Sequence, residues 1–175
     1  MVSTEFLHKM LEQAKQILLE DGELEPAAFV KKDDTLVQVP AVITGKKYHD
    51  ANLLGALARS MRATDIISVF DGAGRSYSNP EDAKYALENP DTEAPLSYPR
   101  SMRQETVVIF AIECATKTCK VCMMKYSGET PEEFKFEEPS EMDISGAIPE
   151  SIIEGWDVAE KGIKEGRIKE LNPEN

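Results

Sequence analysis

No stretch of this chain approaches the roughly 20 consecutive apolar residues that cross a bilayer, and its longest apolar runs are only a few residues. The first nineteen residues hold Glu5, His8, Lys9, Glu12 and Lys15, which breaks up any secretory-leader core. A soluble cytoplasmic protein without a membrane partner is expected. Two histidines and three cysteines leave few candidates for metal or nucleophilic chemistry. Bases are also scarce: 20 Lys and Arg stand against 32 Asp and Glu, net −12. Nucleic-acid binders need cations to replace phosphate counterions, so this balance argues against non-specific DNA or RNA binding and no nucleic-acid partner is expected. From Ser127 to Asn175, fourteen acids face five bases, so −9 of the net charge falls in the last 49 residues.

With 175 residues, the chain can bury one substantial core and leaves little room for a second. A single domain over 1–175 is expected. In "STEFLHKMLEQAKQILLEDG", Phe6, Met10 and Ala14 recur at steps of four, widened by Leu7, Leu11, Ile17 and Leu18. An amphipathic helix capped at Ser3 and stopped at Gly22 follows. "PAAFVKK" and "TLVQVPAVI" flank Asp33-Asp34 and predict a β-hairpin, with Pro40 pushing its second strand to a sheet edge. A second helix is predicted from Tyr48 to Arg62, with Ala51, Leu54, Ala58 and Met61 on one face. "DIISVF" then predicts a short buried strand.

Residues 71–104 look irregular and hold four of the ten prolines. Asn79-Pro80 and Asn89-Pro90 bracket a short helix at Pro80–Glu88. Three strand patterns follow, "ETVVIFAIECA", "CKVCMMKY" and "EFKFEEP". An acidic C-terminal region, 145–175, opens a helix at Pro149 that carries Ile148, Ile152 and Trp156. Gly155 and Gly162 should each weaken that helix by about 1 kcal/mol, and Asp157–Lys161 and Glu160–Lys164 are i, i+4 pairs.

The order α-β-β-α-β-(α)-β-β-β-α predicts an α+β fold, one antiparallel or mixed sheet of about six strands flanked by helices. At fold level this resembles the profilin or roadblock arrangement. It also starts as the cytidine-deaminase fold does, but lacks that family's His-x-Glu and Pro-Cys-x-x-Cys zinc motifs. "DGELEPAAFV" (Asp21–Val30) and "DIISVFDG" (Asp65–Gly72) are similar to segments of a widespread, uncharacterised family of small bacterial, archaeal and phage-borne α+β proteins. Members continue the third strand into a Ser-Glu-Ala-Trp-like stretch, where this chain has Phe70-Asp71-Gly72-Ala73. The resemblance implies the fold and no activity.

"ECATKTCKVC" holds every cysteine in the Cys-x4-Cys-x2-Cys spacing of plant-type ferredoxins, but no fourth cysteine exists to complete a cluster. A turn at Thr116-Lys117 would set Glu113 opposite Lys120 and Cys114 opposite Cys119 on one face, with Cys122 on the other. Buried reduced thiols are then favoured over ligands, and a Cys114–Cys119 disulfide is the intermediate case. No cofactor is expected. "DGAGRS" lacks the Gly-Lys-Ser/Thr ending of a phosphate loop. His8 falls on the solvent side of its helix, and His49-Asp50 begins the second helix, Asp50 as a capping or first-turn acid.

Three functions remain. The first is a non-enzymatic module that binds a protein partner or another copy of itself through the 71–104 insertion, with Asp71, Arg75, Tyr77 and Tyr98 as contacts, or through an exposed strand edge. The second is a small enzyme with a site near His49 or the insertion. The third is a redox or metal protein using Cys114, Cys119 and Cys122.

Overall fold

The computed structural model describes residues 2–74, 104–142 and 147–171. Helix α1 spans Thr4–Asp21. Ser3 Oγ accepts from the Phe6 N–H at 3.2 Å, and Gly22, at φ 80°, donates its N–H to the Leu18 carbonyl. That backbone conformation is one a Cβ would strain, so glycine sets the stop. The buried stripe is Leu7, Leu11, Ala14 and Leu18, one position round from the expected line through Phe6 and Met10, which pack at its margin.

Strands β1 (Ala27–Lys32) and β2 (Thr35–Val39) form the expected hairpin around Asp33-Asp34, with Asp33 at φ 52°. Asparagine and aspartate tolerate this left-handed region better than other side chains. Helix α2 spans Lys47–Ser60 and ends two residues short of Arg62, which takes φ 57°. Strands β3 (Asp65–Gly74), β4 (Gln104–Glu113) and β5 (Thr118–Ser127) follow. After a 3-10 turn at Pro131–Glu133 come the short β6 (Lys135–Phe136) and β7 (Ser140–Met142), then α3 (Ala147–Lys164).

All seven strands join one antiparallel sheet in the order β2-β1-β3-β4-β5-β6, with β7 also on β5. The fold is α+β. Alternation along β3, β4 and β5 sends Ile67, Val69, Val107, Ile109, Met124 and Tyr126 toward α1. It sends Ile66, Phe110, Ile112 and Val121 toward α2 and α3, giving three layers. Covered on both faces, "TVVIFAI" reads as an unbroken apolar run.

Three expectations need correction. Asp71–Gly74 does not begin a loop: it continues β3, pairing Asp71 with Val107 and Gly74 with Gln104. Its small residues suggest a turn, but a long partner strand supplies the backbone bonds that hold them extended. The β4–β5 turn is four residues, Cys114–Lys117, so Glu113 faces Thr118 and Ile112 faces Cys119, in place of the expected pairs Glu113–Lys120 and Cys114–Cys119. Lys117 takes φ 58°, which lengthens the turn. Because the slip is two residues, every side chain keeps its face. β7 was not anticipated. Pro80–Glu88 lies outside the described residues.

The glycines of α3 also carry a role beyond weak helix propensity. A Cβ at Gly155 would stand 1.8 Å from the Asn52 carbonyl oxygen, and one at Gly55 would stand 1.8 Å from that of Ile152. The two helices therefore cross backbone to backbone at facing glycines. Asp157 pairs with Lys117 rather than with Lys161, while Glu160 meets Lys164 at 2.9 Å as expected.

Candidate interaction surface

The two ends of the sheet are built differently. On the outer side of β5 the edge strands have two and three residues and carry Lys135 and Glu141. Glu141 lies 3.8 Å from His8 Nε2 and accepts from Thr4 Oγ1 at 3.4 Å, which fastens β7 to α1. Short, charged and tied-down strands are how proteins blunt a sheet edge. At the other end, β2 has five residues, none charged, and pairs only with β1 among the described residues.

That edge belongs to a longer feature. Thr35–Gly45, "TLVQVPAVITG", is eleven residues without a charge, the longest such run in a chain that is 30% charged. Uncharged runs ordinarily mark interiors. Here the run lies on the surface: Leu36 is 41% exposed, Val37 38%, Val42 56% and Ile43 53%, and only Val39 is buried.

The hydrogen-bonding sense of the edge follows from the ladder. The Lys31 carbonyl accepts from the Thr64 N–H at 2.7 Å, so Lys31 faces β3 and its neighbours Val30 and Lys32 face β2. Thr35, Val37 and Val39 stand opposite Lys32, Val30 and Ala28 and bond to them. The N–H and C=O of Leu36 and Gln38 therefore point out of the sheet. Pro40, without an N–H, ends the open stretch at one side, and the Asp33-Asp34 turn ends it at the other.

Both faces beside β2 are concave. On the α1 side, a groove of about 600 Å³ lies between α1 and Ala27, Phe29 and Val69, with Asp21, Glu23 and Glu25 at its rim. On the other side, a hollow of about 410 Å³ is lined by Val30, Thr35, Val37, Met61 and Leu171.

Behind this edge, the loop into α2 is held by one carboxylate. Asp50 is buried and accepts from the Thr44 N–H (2.8 Å), Thr44 Oγ1 (2.7 Å) and the Gly45 N–H (3.0 Å). Burial pushes its carboxyl up, but the hydrogen bonds from Thr44 and Gly45 outweigh this and hold it below the ordinary 3.8. The expected first-turn acid is thus a clamp on the preceding segment, holding the loop that carries Val42 and Ile43 to the start of α2.

The other candidate residues scatter. Asp71 lies on β3 and its Oδ2 accepts from the buried Tyr126 hydroxyl at 2.7 Å, a contact within the fold. Arg75, Tyr77 and Tyr98 lie outside the described residues. His49 is exposed in the first turn of α2. The sheet separates Cys122, on the α1 side, from Cys114 and Cys119 on the other, and all three thiols are free. Burial pushes Cys114 up to about 12, helped by Asp65 and Glu113, and Cys119 up to about 11; Cys122 is raised by the same cause. Such thiols are protonated at neutral pH and poor as ligands or nucleophiles. Among the described residues, no group of three or more His, Cys, Asp or Glu is placed to hold a metal ion, and no helix is long and apolar enough to cross a membrane.

Compared with family models, curated proteins and solved structures, the chain matches none. The architecture and this edge are therefore what bear on function.

Proposed function

We propose that this protein is a non-enzymatic binding module that receives an extended protein segment as an added strand along the outer edge of β2. One observation carries the reading: the longest uncharged run of an acidic chain opens with an exposed edge strand, β2, with the Leu36 and Gln38 backbone groups facing outward. Strand addition takes its affinity from main-chain bonds and its selectivity from alternating side chains. Leu36 and Gln38 would read one face of the added strand, and Val37 and Val39 the other. Proteins that use a sheet only as scaffold blunt such an edge. The three free, protonated thiols suit a reducing compartment, and we place the module in the cytoplasm.

The test puts a photo-crosslinking amino acid in place of Val37, with exposed Gln16 on α1 as the control position. The expected result is an adduct from position 37 alone, mapping to one site on one identified polypeptide, whether another protein or a second copy. Equal labelling from both positions, or none from position 37, contradicts the reading.

A further inference from the structure

We infer that the strand added to β2 is β2 of a second copy, paired antiparallel about a two-fold axis at Val37 to give one sheet continuous across two molecules. The inference rests on the strand-addition reading and names the occupant. The register is set by which backbone groups are open. Within β2, only Leu36 and Gln38 present N–H and C=O outward, so the pairing must join these two positions. With Val37 opposite its own counterpart, each Leu36 meets the other copy's Gln38 and exchanges both bonds, four in all across the seam. Centring on Gln38 would spend a pairing on Pro40, which has no N–H to give. Centring on Leu36 would spend one on Asp34, inside the hairpin turn. The Val37 axis alone uses every open group.

Charge fits the same arrangement. Two bodies of net −12 repel, so a self-association seam has to be where charge is absent, and Thr35–Gly45 is the longest such stretch. The antiparallel sense also sets the Asp33-Asp34 turn of one copy beside the Pro40 end of the other copy's β2. The two-fold keeps faces matched: Leu36 and Gln38 share the α1 side, while the two Val37 side chains meet beside the hollow lined by Met61 and Leu171. An edge that satisfies itself in this way is isologous and closes as a dimer, leaving no further β2 edge to extend.

Three measurements on the full chain test it. Sedimentation equilibrium should give twice the chain mass. Val37→Cys should form an intermolecular disulfide between the introduced thiols under mild oxidation, identified by peptide mapping, because a non-hydrogen-bonded antiparallel pair brings the Cα atoms to about 4.5 Å. Leu36→Cys and Gln38→Cys should each crosslink poorly alone and well when the two variants are mixed. Gln38→Pro, or Leu36→Lys with Gln38→Lys, should weaken dimerisation at least about tenfold while leaving the monomer's melting temperature within a few degrees, which keeps the test clear of misfolding. A monomer at all concentrations, or a dimer whose Val37→Cys thiols never join, overturns the inference. If a monomer still yields the position-37 adduct to another polypeptide, strand addition stands and the second copy is wrong. If position 37 labels nothing, both fall.

Discussion

At the level of single residues, burial and hydrogen bonding decide which side chains are chemically available. The cysteine cluster, the sequence's most conspicuous chemical pattern, is made inert by placement: β-strand alternation puts Cys122 across the sheet from Cys114 and Cys119, and burial keeps all three protonated. In the native protein at pH 8 a thiol reagent should therefore titrate the three slowly, and all of them rapidly in denaturant; three fast native thiols would refute this. Asp50 works in the opposite sense. Its carboxyl sits below the ordinary 3.8 in the folded state, so it contributes stability that is fully present above that value and lost as pH falls through the lower folded one. The denaturation midpoint of the wild type should exceed that of Asp50→Asn by a constant amount above about pH 5, and the gap should close below about pH 4. A gap that widens with acid would show the clamp assigned the wrong sign. The faces of the cysteines were legible from period-two alternation. The acid clamp was legible only as a helix-start acid, because its partners, Thr44 and Gly45, lie in a loop whose shape no local pattern specifies.

At the level of elements, the most informative feature is the crossing of α2 and α3. Gly55 and Gly155 look like defects when each helix is read alone, and become the contact once the two are packed. Gly155→Ala should improve intrinsic helix propensity by about 1 kcal/mol. It should still destabilise the protein by about 3 kcal/mol through overpacking against backbone that cannot yield, as measured by urea denaturation. A stabilised variant would mean that the helices do not meet there. Strand and helix types were legible where periodicity and caps agreed: Ser3 and Gly22 bound α1, and Asp33-Asp34 turn the hairpin. They were not legible where a partner decides. "DGAG" is extended because β4 lies beside it, β7 is three residues that exist only as a pair for β5, and the β4–β5 register depends on a four-residue turn with Lys117 at positive φ.

At the level of the whole molecule, the sheet formed by the described residues has one guarded end and one open end. Acidic charge covers much of the chain, the short edge strands on β5 carry charge, and the uncharged run Thr35–Gly45 is left at the surface. The sequence placed Pro40 beside an edge strand; that the run is exposed emerges only from the sheet order, since a buried strand would read the same way. The candidate surface was thus half legible, as an edge, while its openness is a property of topology. The account's central claim is that the outward Leu36 and Gln38 amides are the binding groups, and residue-resolved hydrogen exchange tests it most directly. In dilute purified protein these two amides should exchange rapidly while Val37, bonded to β1, is protected. At high concentration, or with the polypeptide joined at position 37, Leu36 and Gln38 should become protected by at least about tenfold. Exchange at Leu36 and Gln38 that stays fast under every condition, with protection arising elsewhere on the surface, would contradict it.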